Sequence, residues 1–130
     1  MASVRVERTD AGFVAKNGRG DEIIVGNGDG EGFTPVELLL AAVGGCNIVT
    51  VEPLTAKRGH RLVRLAMTVD AEKVEPTLLG PVTVTYDVEL PTDDPLAAEV
   101  FEAVAERVHT RACTVGRSLS NGTEVKLVTS

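Results

Sequence analysis

Between Val36 and Val51 nearly every residue is apolar, the exceptions being Glu37, Asn47 and Thr50. A helix built from this run has no broad solvated face and has to be buried on all sides. Its start is signalled locally: Thr34 offers a hydroxyl at the N-cap, Pro35 suits the first helical position, and Glu37 sits near the positive end of the dipole. Farther on, Ile48-Val49-Thr50-Val51 is β-branched and Pro53 removes a helical hydrogen bond, so a strand and a kinked second helix both fit locally. We read a kinked helix ending near Gly59. A chain of 130 residues with few other helices cannot cover such an element alone, so a homodimer burying the Leu38 to Val51 helices against each other is expected.

Around this helix the pattern is that of short strands. Val4 and Val6 alternate with Arg5 and Glu7, and Gly12 to Lys16 leads into Asn17-Gly18, which suits a two-residue hairpin turn before a third strand near Glu22 to Val25. Val63, Leu65, Met67 and Val69 alternate, as do Val82, Val84, Tyr86, Val88 and Leu90, with Gly80-Pro81 between them. Asp93-Asp94-Pro95 opens an amphipathic helix with a Leu96, Val100, Val104, Val108 stripe that ends near His109. Thr110 to Ser120 reads as a short third helix, and Asn121-Gly122 turns into a last strand, Glu124 to Val128. The order βββ-α-ββ-αα-β is an α+β pattern within one domain, residues 1–130.

Composition narrows the function classes. Thirteen Lys and Arg against 19 Asp and Glu give a net charge of −6, so the clustered cations that attract nucleic acid or an anionic membrane are missing. The longest apolar stretch, Leu38 to Cys46, is about half of the ~20 residues needed to cross a bilayer. With no secretory pattern at the N-terminus, a cytoplasmic protein is expected. Two cysteines do not make the disulfide framework of a small secreted domain.

Each cysteine has a plain and a chemical reading. Cys46 could be a small buried hydrophobe. However, Gly44-Gly45 costs a helix about 1 kcal/mol per residue relative to Ala, which suggests that something approaches the backbone beside it. Cys113, after Thr110-Arg111-Ala112, stands where a helix dipole and Arg111 would favour a thiolate, or it is a half-buried structural thiol. His60 and His109 could join the cysteines in a tetrahedral zinc site, but neither cysteine has a close Cys-x-x-Cys partner, and no metal is expected. The Gly26 to Gly32 run has no following Gly-Lys-Ser/Thr and carries Asp29 and Glu31, so it reads as a mobile loop, not a phosphate cradle. Asp93-Asp94 is a helix cap, not a catalytic acid pair.

The run Thr34-Pro35-Val36-Glu37-Leu38-Leu39-Leu40-Ala41-Ala42-Val43-Gly44-Gly45-Cys46, followed by Cys113-Thr114-Val115-Gly116-Arg117-Ser118-Leu119, resembles the two cysteine motifs of the OsmC/Ohr family of osmotically induced and organic hydroperoxide resistance proteins. The resemblance covers essentially the whole chain. It implies the OsmC-like α+β fold, with antiparallel strands wrapped around long central helices in an interwoven homodimer. It also implies thiol peroxidase chemistry without a cofactor: Cys46 attacks an organic hydroperoxide as thiolate and becomes a sulfenic acid, Cys113 condenses with it, and an external dithiol reduces the disulfide. Arg19 matches the position of the family's thiolate-stabilising arginine; as a residue, it is equally a solvated turn arginine. Family peroxidases hold that arginine with a glutamate directly after the proline, but Val36 stands there and the acid is Glu37, rotated by about 100° on the helix. Its plain role is a partner of the helix dipole. Thr114 replaces a proline common after the second cysteine. The Pro-Val-Glu version is closer to an OsmC-like branch for which a second function is open, a non-catalytic protein binding a small apolar ligand in the dimer cleft.

Overall fold

Residues 2–129 are described by a computed structural model, in which the chain forms two compact units, Met1–Leu39 and Leu40–Ser130, taken in turn. In the first, β1 (Arg5–Thr9), β2 (Gly12–Lys16) and β3 (Glu22–Val25) make an antiparallel meander in that order. The register pairs Val6 with Ala15 and Ala15 with Ile23, and Phe13 with Val25, so these apolar side chains share one face. Lys16, in the middle strand, reaches Glu7 at 2.8 Å and Glu22 at 3.4 Å. The two-residue turn falls at Asp10-Ala11, not at Asn17-Gly18 as expected. Asn17 acts through its side chain, whose Oδ1 accepts from the N–H groups of Arg19 and Asp21, and Gly20 takes the positive φ, +93°.

The long helix α1 spans Pro35–Lys57, unbroken through Pro53. Its N-terminus is a reciprocal capping box: Thr34 Oγ1 accepts from the N–H of Glu37 at 3.2 Å, and Glu37 Oε1 accepts from the N–H of Thr34 at 2.8 Å. At the other end His60 N–H donates to the Thr55 carbonyl and Gly59 N–H to that of Ala56, a Schellman closure that uses Gly59 at φ +83°. By length and composition this helix could cross a membrane, which the Leu38 to Cys46 run did not suggest.

In the second unit β4 (Arg64–Asp70) pairs antiparallel with β7 (Thr83–Glu89). Leu65, Met67 and Val69 stand opposite Val88, Tyr86 and Val84 on one face, while the other carries the Arg64–Asp87 ion pair at 2.9 Å. A small hairpin, β5 (Lys73–Glu75) with β6 (Leu78–Leu79), occupies the connection before Gly80-Pro81. Helix α2 (Ala97–Arg107) starts later than Asp93-Asp94-Pro95 suggested: its N-cap is Leu96, which makes no side-chain cap bond, and Asp94 Oδ1 accepts from Leu96 N–H in the turn before the helix. A π-helical turn, Val108–Ala112, follows, and then α3 (Thr114–Ser120). The core is Val51, Phe101, Val104, Val108 and Cys113, with Leu65, Tyr86 and Val88 packed against it.

Three expectations are corrected here. The third helix does not start at Thr110: residues 108–112 form the wider π turn, and Cys113, extended at ψ 98°, separates it from α3. Glu124 to Val128 is not a strand, because no ladder pairs with it among the described residues, and Val125 and Leu127 stay 94% and 88% exposed. Helix α1 is not buried on all sides by its own chain: Ala41, Ala42 and Val49 are exposed.

Candidate active site

Cys46 lies midway along α1, half-buried, beside the cluster that contains Cys113. Its neighbour Gly44 has a physical reason: a Cβ there would stand 2.9 Å from Val69 Cγ2 and 3.5 Å from Met67 Sδ, so β4 lies directly on the helix backbone. A Cβ at Gly45 would meet nothing within 4 Å outside its own helix among the described residues. The close approach anticipated for the glycine pair belongs to Gly44.

Cys113 is 1% exposed and caps α3, its Sγ accepting from Gly116 N–H at 3.3 Å. A Cβ at position 116 would stand 3.2 Å from that sulfur, so the glycine lets the thiol settle against the backbone. The π turn delivers it there, with Cys113 N–H donating to the Val108 carbonyl at 2.8 Å. Such turns are frequent at functional sites. Burial pushes the Cys113 thiol up from its ordinary range; the Gly116 N–H opposes this, and the neighbouring Cys46 thiol adds to it. The sequence suggested the reverse, a thiolate favoured by the helix end. Desolvation prevails because the sulfur is almost completely enclosed.

Two residues that sequence reasoning did not assign to the site complete it. Asn47, 3% exposed, donates through Nδ2 to the Val43 carbonyl at 2.8 Å and to Cys113 Sγ at 3.6 Å. Tyr86 Oη donates to Asn47 Oδ1 at 3.4 Å, and its ring meets Phe101 edge-on at 5.3 Å between centroids. Burial raises the Tyr86 hydroxyl, with a further contribution from Cys113. The available signal was an amide inside an apolar helical run, directly after the cysteine.

The other candidates have local partners or stay exposed. Arg19 is in the β2–β3 turn, its side chain 80% exposed and 4.0 Å from Asp21. Glu37 is engaged in the capping box. His60 Nδ1 bonds Asp94 Oδ2, tying the end of α1 to the start of α2, and holds the Asp94 carboxyl below its usual range. His109 is exposed, and among the described residues no three His, Cys, Asp or Glu side chains gather as metal ligands.

One buried thiol and one half-buried thiol meet at a single cluster. Comparison with known proteins bears on which chemistry uses them. A family model described as OsmC-like protein matches residues 28–128. An uncharacterized protein of Mycobacterium tuberculosis is 32% identical over 133 residues, covering 98% of this chain and 95% of its own. Among solved structures, an OsmC-like protein of Mycoplasma pneumoniae superposes with a TM-score of 0.71 at 16% identity, covering 95% of this chain and 89% of the other. The organic hydroperoxide resistance protein OhrB of Bacillus subtilis superposes at 0.61 and 17%, covering 95% and 92%.

Proposed function

This chain belongs to the OsmC-like family and has its α+β fold, and from that premise we propose that it is a cytoplasmic thiol peroxidase acting on organic hydroperoxides in oxidative-stress defence. The observation that carries the reading is the packing of Cys46 against the cluster holding Cys113, close enough for the Cys46 thiol to help raise that of Cys113. The half-buried Cys46 is the nucleophile, since a peroxide has to reach it, and the enclosed Cys113 resolves. The overall reaction is ROOH + 2 RSH → ROH + H₂O + RSSR, with an external dithiol as reductant and no cofactor. Apolar neighbours of Cys46, such as Val43, favour an alkyl hydroperoxide over H₂O₂. As the resemblance to family peroxidases implies, Arg19 would be the cation for the Cys46 thiolate, while Glu37 is taken up in the helix cap. The protein works as a homodimer, which covers the exposed Ala41, Ala42 and Val49 face of α1.

A second reading has its own observation: a cleft of about 1030 Å³ in the first unit, lined by Phe13, Val14 and Ile24 together with Lys16, Glu22 and Glu31, has room for a small ligand with an apolar body and a polar end. One assay separates the two. Purified protein with a dithiol should consume cumene hydroperoxide catalytically, and Cys46→Ser should abolish this. Equal consumption by both proteins, or none by either, removes the peroxidase.

A further inference from the structure

We propose that Asn47 is the positioning residue for the resolving thiol, its amide aiming and polarising Cys113 Sγ for attack on oxidised Cys46. The chemical step rests on the peroxidase reading; the hydrogen bond does not.

The orientation of the amide follows from its surroundings. The Val43 carbonyl can only accept, so the NH₂ end of Asn47 has to face it, 2.8 Å away. The second N–H of the same nitrogen is then left for Cys113 Sγ at 3.6 Å, and Oδ1 points to the Tyr86 hydroxyl. Asn47 is 3% exposed, and no buried side-chain nitrogen or oxygen lacks a partner among the described residues. Asn47 also follows Cys46 directly on the rigid helix, so the donor moves with the sulfur that is to be attacked.

The step needs such a donor. Cys113–SH and Cys46–S–OH combine: an S–S bond forms, the S–O bond breaks, and the Cys113 proton leaves with the hydroxide as water. The sulfenyl sulfur is reduced and the thiol sulfur oxidised, so no other oxidant is needed. As Cys113 sheds its proton, negative charge grows on a sulfur that is 1% exposed. The N–H bonds from Asn47 and Gly116 strengthen as that charge develops. The titratable groups facing the sulfur are Cys46 on α1 and Tyr86 on β7; His109 and Arg111 of the π turn are exposed. No cation therefore substitutes for the amide from these elements.

The test uses the full chain in two backgrounds. In Cys46→Ser protein, Cys113 alkylation and thiolate absorbance are followed against pH with and without Asn47→Leu, which keeps the volume and removes both N–H groups. The midpoint should rise by about one pH unit, slowing alkylation about tenfold below it. In protein with both cysteines, one equivalent of cumene hydroperoxide is added and the Cys46 sulfenic acid is trapped with dimedone over time. Asn47→Leu should prolong its lifetime about tenfold. Tyr86→Phe, which keeps the ring on Phe101 and frees one end of the amide, should give a smaller shift in the same direction, and it decides the matter should Asn47→Leu not fold. Unshifted Cys113 profiles in the folded variants overturn the inference. Native protein that never consumes hydroperoxide overturns the peroxidase instead, and the Cys46→Ser titration still reads the Asn47 bond.

Discussion

On one face of α1 Val43, Gly44, Asn47, Val51 and Thr55 are buried; on the other Ala41, Ala42 and Val49 are exposed, Val49 to 69%, although both faces are mostly apolar. The packed face is closed by β4, β7 and α2 and holds the polar groups that meet Cys113. The other face is exposed at Ala41, Ala42 and Val49, and a Cβ at Gly45, which lies toward it, would meet nothing within 4 Å outside its own helix among the described residues. Cys46 is half-buried between these extremes. The difference teaches that apolar character favours burial without specifying the partner: one face is buried within the chain, and the other stays exposed, where the proposed second copy would sit.

The comparison can be broken by charging each face. Val51→Glu places a carboxylate at a position with no exposure, in the centre of the core, and should abolish folding, seen as loss of the cooperative thermal transition. Val49→Glu, two residues away, should leave the helical circular dichroism intact and yield monomers in analytical ultracentrifugation. Val49→Glu that remains dimeric would show that this face is not the interface.

A smaller perturbation tests how tightly the packed face is closed. Gly44→Ala drives a methyl against Val69 and Met67 and should cost about 1–3 kcal/mol in denaturant unfolding. Smaller again is the cap: Glu37→Ala removes one half of the box and should cost about 1 kcal/mol. Glu37→Gln, which still accepts from Thr34 N–H, should lose less.

The smallest effect is the pH dependence of stability carried by Cys113. Its thiol is raised in the folded chain, so above the unfolded thiol range the unfolded state binds fewer protons than the folded one. Its contribution is therefore complete below that range and is lost as pH climbs through it toward the folded value. Native protein should show a shallow alkaline decline in stability that Cys113→Ala lacks, in melts between pH 7 and 10.

What was legible in the sequence is what local physics decides. Thr34, Pro35, Glu37 and Gly59 fix the ends of α1 through bonds that each terminus makes with itself. Period-two alternation fixes which side chains of β4 and β7 face inward. The paired motifs around Cys46 and Cys113 located both thiols and the family. Tertiary structure decided the rest, because those outcomes depend on atoms far apart in the chain. Gly44 and Gly45 are adjacent and chemically identical, and only the arrival of β4 distinguishes them. Glu124 to Val128 alternates like a strand but finds no ladder among the described residues, since a strand exists only with its partner. Cys113 stands at a helix start that by itself lowers a thiol, yet enclosure by Val51, Val104 and Val108 raises it. Asn47 read as an exception in an apolar run until folding brought Cys113 and Tyr86 to its two ends.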